Sequence, residues 1–372
     1  MALNPSGAIS LAGPVAGQSI ALELGLSPTA TISLNDTAVR TLAGVPSGAI
    51  IMPTNFYGKS SYIQTQQAIF VYGTTGPNVA NVTNVSNRVS NTGVISALVP
   101  GVGTARIGAA GSTYGGDKAI CVYGSFGNSF ATNLQASNLI SNTGVVAADT
   151  PVAGTARYGG TGTSYGGDKS FVAYGQTNAL APSTVVTYQN FYNLISNTGA
   201  VASNTPAAGG KSFAGSLTYG LGKGIINGGQ VNPSTFYALS QLVSDTGVFA
   251  STIPAAGTGR SQPAGLAIGS DIGIFVYGST GPGVYSMLTS SVSNTGVLST
   301  TSSIPAPGNT ARATQGAKYG GDKAICAYGI RAPAAMRDII LFSNTGTVVS
   351  ATLNGAVSPS RSTASACGFS ST

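Results

Sequence analysis

The tetrapeptide Ser-Asn-Thr-Gly, once written Ser-Asp-Thr-Gly, recurs six times in one chain: Ser90–Gly93, Ser141–Gly144, Ser196–Gly199, Ser244–Gly247, Ser293–Gly296 and Ser343–Gly346. Its glycines lie 51, 55, 48, 49 and 50 residues apart. A period near 50 belongs to propeller blades or solenoid coils, in which one unit cannot bury its apolar face without its neighbours. Within a period, four short strands can be read. Residues 107–116, "IGAAGSTYGG", form a small-residue strand a, and "KAICVYG" at 118–124 is a dense apolar strand b. After a variable segment comes strand c, "NLI", ending at the refrain, and "VVAAD" at 145–149 is strand d. Asn-Thr-Gly between c and d, and Gly-Gly-Asp between a and b, supply the positive φ and the side-chain-to-backbone bonds of tight hairpin turns.

Four antiparallel strands taken six times predict an all-β, six-bladed β-propeller over residues 61–372, with the Gly- and Ala-rich strand a innermost. A solenoid seldom carries a long variable loop in every unit. The ends of the repeat make a second argument. "QQAIFVYG" at 66–73 is a strand b with no strand a before it, and residues 360–372 carry a strand a with no b or c after it. The two fragments complete one another, so 360–372 is expected to close the first blade and remove an open sheet edge. Residues 1–60 lack the repeat. "SIALELG" and "TATISLN" read as strands, and "NDTAVRTLAG" reads as a short helix capped at Asn35 or Asp36 and stopped at Gly44. The expectation there is a small α/β module, too small for a large core of its own.

Chemistry is narrowed by what the chain contains. There is no His among 372 residues, which excludes Ser-His-Asp and Cys-His nucleophiles and the common His metal sites. The three cysteines, Cys121, Cys326 and Cys367, form no local cluster. Cys121 and Cys326 fill the same place in two repeats, and equivalent core positions in separate blades are poor disulfide partners, so buried free thiols are expected. No cofactor and no metal are expected. Of nine acids, Asp117, Asp168, Asp271 and Asp322 all fall in the a–b turn and Asp245 sits in the refrain. That regularity is turn chemistry, leaving Asp149 and Asp338 as isolated candidates for glycoside hydrolysis. We therefore expect no enzyme. A net charge of +7 rests on only 16 basic residues spaced at the repeat period, unlike the dense basic clusters of nucleic-acid binders. No apolar run is long enough for membrane insertion, and the N-terminus has no basic segment ahead of an apolar one, so no signal peptide is expected.

Two sets of residues are singled out. One basic residue precedes strand a in each blade: Arg106, Arg157, Lys211, Arg260, Arg312 and Arg361, followed eight residues later (seven for Arg312) by Tyr114, Tyr165, Tyr219, Ile268, Tyr319 and Phe369. They are expected as a ring near the axis, either bonding backbone carbonyls between blades or drawing an anion. The second set lies in the b–c segments, which differ in length and share one face with the d–a crossings. It comprises Phe126, Phe130, Tyr188, Phe191, Tyr285 and Arg331, candidate binding residues that could equally be outer-strand packing.

The blade pattern, a small-residue strand, a Gly-Gly turn, "VYG", "NTG" and then "P…R", resembles kelch repeats, although no Trp follows the refrain. In the first sixty residues, "LNDTAVRTLAG" and "FYGKS" are the stretches most similar to the N-terminal module of bacteriophage tail-associated virion proteins. The resemblance implies a virion structural protein of the tail or tail-fibre type, assembled in the host cytoplasm and docked to other virion proteins through residues 1–60. It further implies a homo-oligomer in the particle that displays the propeller for subunit packing or for recognition of a host-surface glycan or protein. A free-standing glycan-binding adhesin and a polysaccharide-degrading tailspike are the alternatives.

Overall fold

The protein is described as a computed structural model, covering Leu3 to Ser370 apart from residues 5, 16, 25, 44, 46, 58–65, 76–80, 127–131, 179–184, 221, 256, 270, 302–314, 332–333, 336–337, 353–360 and 363. It divides into two compact units, Met1–Thr65 and Gln66–Thr372.

The second unit is a β-propeller of six blades. Blade 2 sets the pattern: strands a to d are Ala110–Tyr114, Lys118–Val122, Ala136–Ile140 and Thr150–Pro151, paired antiparallel in that order. Strand a buries alternate residues, and strand b is buried at four consecutive positions, Ala119 to Val122, because other blades cover both its faces. Blades 3 to 6 repeat this around the inner strands Thr161–Tyr165, Gly215–Tyr219, Ala264–Ile268 and Gln315–Tyr319. Blade 1 has Gln66–Val71 as strand b and Ser86–Val89 as strand c. Its inner strand is Ser365–Ser370, with Gln66 opposite Ser370 and Val71 opposite Ser365. Strand d starts later than "VVAAD" in blade 2. The segment after the refrain touches strand c at one bridge, Ile140 to Val146, and regular pairing resumes only at Thr150.

Six apolar clusters lie between the six pairs of neighbouring blades. The one between blades 1 and 2, for example, joins Ile69, Val71 and Phe369 to Ala119, Cys121 and Ile140, and the others follow in turn. Hydrogen bonds run round the ring as well. At every blade a peptide N–H at the end of strand a donates to the next blade where its strand b is about to begin or begins: Gly115 to Asp168 (2.6 Å), Gly166 to Gly222, Gly220 to Asp271, Gly269 to Asp322, Gly320 to Gln66 and Ser370 to Asp117 (2.8 Å).

The refrain has its own reason. The Ser196 hydroxyl accepts from the N–H groups of Thr198 and Ala200, and the other copies match it. The closing glycine lies against the preceding blade's residue at the end of strand a. A Cβ built at Gly199 would sit 3.1 Å from a Tyr114 ring carbon, and one at Gly144 would sit 2.6 Å from Phe369. Gly93, Gly247, Gly296 and Gly346 meet Tyr319, Tyr165, Tyr219 and Ile268 in the same way. Thus the aromatic residue or isoleucine seven or eight residues beyond each basic residue and the glycine of the refrain are two halves of one inter-blade contact.

The first unit departs from the expected α/β module. "SIALELG" is a helix, Ile20–Glu23, with Ser19 as N-cap accepting from the Leu22 N–H at 3.3 Å. "TATISLN" forms no strand among the described residues. A capping serine ahead of Ile-Ala-Leu-Glu lets Ile20 and Ala21 bury on one side, and pairing with a neighbouring segment is confined to one bridge among the described residues, Ser10 to Ser19, too little to extend a strand. The second helix, Thr37–Ala43, falls where "NDTAVRTLAG" places it. Leu3, Ile20, Val39, Leu42, Ala43 and Phe56 make a small core.

Candidate binding face

Strand b ends in Tyr-Gly, and both residues turn left-handed: Tyr72, Tyr123, Tyr174, Tyr277 and Tyr328 have φ between 59° and 61°. This sharp bend sends the chain into the b–c segment and lays the tyrosine ring across to the next blade. The following glycine N–H donates to the backbone oxygen of that blade's basic residue: Gly73 to Arg106, Gly124 to Arg157, Gly175 to Lys211, Gly229 to Arg260 and Gly329 to Arg361.

The basic residues are therefore held between blades. They do not border the channel among the described residues, which corrects the expected ring near the axis. Arg106, Arg157, Lys211, Arg260 and Arg361 are 0–3% exposed; Arg312 lies outside the described residues. Arg106, Arg157 and Arg361 stack on Tyr72, Tyr123 and Tyr328 of the preceding blade at 4.1–4.4 Å, a cation–π contact. Arg157 also donates to Tyr174 O (2.5 Å), Thr155 O (3.0 Å) and Asn193 Oδ1 (2.8 Å). Arg361 reaches Tyr72 O, Val85 O and Asn87 Oδ1. Arg260 stacks on no tyrosine ring among the described residues, because Gly228 fills that place in blade 4; it bonds Tyr277 O, Leu288 O and Ser290 Oγ. Burial pulls the Arg157 and Arg260 guanidinium pKa values down to about 10, so both stay charged at neutral pH. Lys211 is shorter, and its ammonium has only the Tyr174 ring, at 4.5 Å, and no hydrogen-bond partner among the described residues. Burial lowers its pKa to about 8.

The carboxylates are engaged locally. Asp149 pairs with Arg106 (3.3 Å) and accepts from Thr104 and Asn138. Burial pushes its carboxyl up, but these donors outweigh it and hold the pKa below the ordinary value. Asp117 pairs with Lys118, and Asp168 and Asp322 accept from Asn197 and Asn344. Asp338 is buried. Among the described residues no group of His, Cys, Asp or Glu could hold a metal.

On the face where strand a begins, the central channel opens into a space of about 680 Å³ bordered by glycines, alanines, Thr161, Phe213, Ser216 and Gln262. Phe213 and Gln262 keep the positive φ (55° and 57°) that Gly108 and Gly159 have in blades 2 and 3. The peptides are linked, Gly159 N to Gly108 O, Phe213 N to Gly159 O and Gln262 N to Phe213 O. Two bulky side chains thus stand where glycines stand on the neighbouring blades, and Gln262 Oε1 has no partner among the described residues. Beside them the b–c segments of blades 3 to 6 fold into extra hairpins: Gln176–Asn178 with Val186–Tyr188, Gln230–Asn232 with Thr235–Phe236, Ser279–Gly281 with Val284–Tyr285, and Ile330–Arg331 with Ala334–Ala335.

The candidate residues divide accordingly. Tyr188, half-buried, ends the blade 3 hairpin and hydrogen-bonds Gln230 of blade 4. Tyr285 is half-buried on the blade 5 hairpin, and Arg331 lies on the blade 6 hairpin. Phe126 is half-buried at the start of its segment, with its N–H donated to Thr132 O. Phe130 lies outside the described residues. Phe191 begins strand c of blade 3 under the Arg157 guanidinium, 4.8 Å away, so it packs the blade. The candidates are therefore spread over blades 2, 3, 5 and 6, and Tyr188 joins a cluster of polar and aromatic side chains. In that cluster Gln176 donates to Tyr158 Oη, Ser212 donates to Gln176 Oε1 (2.6 Å), Tyr158 donates to Asn178 (3.2 Å), and Tyr158 meets Phe213 edge to face. Sequence reasoning passed over Tyr158, Gln176, Phe213 and Gln262. The one available signal was Phe and Gln two residues after Lys211 and Arg260, where Gly108 and Gly159 hold the same place. No charged residue borders this mouth among those described, so amides, hydroxyls and ring faces are what it offers a ligand.

The sequence matches no family model and no curated protein. Among solved structures it is similar to one titled "Structure of YjhT", at a TM-score of 0.56 and 13% identity, over 77% of this chain and 94% of that one. At that identity the likeness is one of fold, and the fold it supports is the propeller.

Proposed function

We propose that this chain is a bacteriophage virion protein of the tail-fibre type, attached through residues 1–60. Its propeller presents the b–c face to a neutral, hydroxyl-rich ligand such as a host-surface glycan. Attachment rests on the similarity of "LNDTAVRTLAG" and "FYGKS" to tail-associated modules. Recognition rests on one observation: the segments that vary between blades build hairpins beside an uncharged mouth that carries the Phe213 ring, the Gln262 and Gln315 amides and the Thr161 and Ser216 hydroxyls. Rings stack on sugar faces, and amides satisfy hydroxyls without charge. A second reading, subunit packing, draws on the opposite face. There Val94, Val145, Val248 and Val297 follow the refrain glycine on four blades and are 56–66% exposed, giving one apolar contact repeated round the ring.

Glycan-array binding by the full chain tests the recognition half. The Tyr188→Ala and Gln262→Ala variants should lose at least about tenfold in affinity while melting like the parent. A parent chain that binds no glycan would reject recognition and leave packing. The attachment half is tested by virions assembled with a chain starting at residue 61, which should lack the protein.

A further inference from the structure

The inner strand of blade 1 comes from a part of the chain remote in sequence, and it sits against blade 2 at a point where two thiols meet. Cys367 is on Ser365–Ser370, opposite Ile69 of strand b. Cys121 is on strand b of blade 2, opposite Gly111 of the inner strand. The two belong to one apolar cluster with Ile69, Val71, Ala119 and Ile140. They are 0% and 4% exposed, and the two thiols lie near enough for each to shift the other's titration. Cys121 Sγ also donates to Ser365 Oγ at 3.3 Å. Gly111 allows this approach, since a Cβ there would lie 2.5 Å from Ser365 Oγ and 2.7 Å from Ala366 O. The repeat relates Cys121 to Cys326, but the neighbour of Cys121 in space is Cys367.

We propose that Cys121 and Cys367 form a redox clasp, in which oxidation by a disulfide donor joins them and locks the closing strand of blade 1 to blade 2. The thiolate of one cysteine attacks the donor disulfide, forms a mixed disulfide and expels one donor thiol. The second cysteine then attacks the protein sulfur and expels the other donor thiol. Two protein thiols and one donor disulfide thus become one protein disulfide and two donor thiols, with no other oxidant needed. The Cys367 thiol lowers the Cys121 pKa, while the Cys121 thiol and burial raise that of Cys367, so Cys121 is the sulfur suited to attack first. Burial makes the reaction one of folding, or of transient opening of the closing strand, and then shields the bond from reductants. The bond would tie together residues at opposite ends of the propeller's sequence, and long loops gain most from cross-linking in the chain-entropy account.

The test uses the full chain, refolded from denaturant in reduced and oxidised glutathione, then alkylated under denaturing conditions and mapped by mass spectrometry without reduction. The expected product is a Cys121–Cys367 linked peptide lighter by two hydrogens, with Cys326 alkylated. The thermal midpoint should rise by roughly 5–10 °C and fall back with dithiothreitol. Cys326→Ala should keep both the link and the rise, whereas Cys121→Ala and Cys367→Ala should show no response to the redox buffer. Complete alkylation of Cys121 and Cys367 after oxidative refolding, pairing of either with Cys326, or a linked form that melts below the reduced one would each overturn the clasp.

Discussion

At the scale of single residues, the buried cations decide how firmly one blade holds the next. Arg157 spreads its charge over three carbonyls, an amide oxygen and the faces of Tyr123 and Phe191. Arg157→Gln is expected to cost about 1–3 kcal/mol in denaturant melts, because buried acceptors are left unpaired. A variant as stable as the parent would show that these bonds contribute nothing net. Lys211 is the counter-case. Its folded pKa of about 8 lies below an unfolded value near 10.4. Below pH 8 both states are protonated, and the cost of burying the charge is present in full. Between about pH 8 and 10.4 the unfolded state holds more protons, so stability rises with pH. Lys211→Met should be about 1–3 kcal/mol more stable than the parent at pH 7, and the gap should close by pH 10. Parallel melting curves across that range would contradict the assignment. The basic residues were legible in the sequence as a periodic set. Their place was not, because spacing along the chain cannot tell the start of strand a at the channel from a side chain turned back between blades under a tyrosine.

At the scale of elements, the refrain is half of a joint whose other half is on the preceding blade. Gly199 has φ 85° and lies against Tyr114 and Leu139. Gly199→Ala meets both the strain of positive φ and an aromatic ring that must shift, and should cost about 1–3 kcal/mol. Ala200→Val, one residue on and exposed, should cost less than about 0.5 kcal/mol. Equal effects at the two positions would show that the turn alone, without the tyrosine, sets the requirement for glycine. Turns and strands b and c could be read from the repeats because each strand repeats its own pattern of burial. Strand d could not be placed, since its pairing in blades 2 and 3 is only two residues long. "SIALELG" was misread because four apolar residues in seven fit a strand or a helix, and the deciding Ser19 cap is a three-dimensional contact.

At the scale of the whole molecule, closure rests on the pairing of Ser365–Ser370 with Gln66–Val71. A chain ending at residue 360 loses that strand, the buried Arg361 and the Ser370-to-Asp117 bond together. It is expected to lose the cooperative thermal transition of the parent, measured by calorimetry; melting at the parent's temperature would place the ring's integrity elsewhere. This closure was legible because two incomplete repeats complement one another. The channel mouth was not, because the glycine pattern that Phe213 and Gln262 interrupt is carried by two blades, at Gly108 and Gly159, and spacing alone does not show that these positions border the channel. The bonds from the end of strand a to the next blade carry one more consequence. All six run in the same sense, each blade giving one N–H to the next and receiving one from the last. Insertion or loss of a complete 50-residue segment would leave every donor with an acceptor, since a bond that runs blade to blade does not register how many blades there are. Nearly identical stretches such as "YGGDKAICVYG" and "YGGDKAICAYG" are places where unequal crossing-over between copies in the encoding DNA exchanges such a segment in frame. The lineage of such a chain can therefore change the breadth of its ring by whole blades, while the loops on the opposite face diverge one residue at a time.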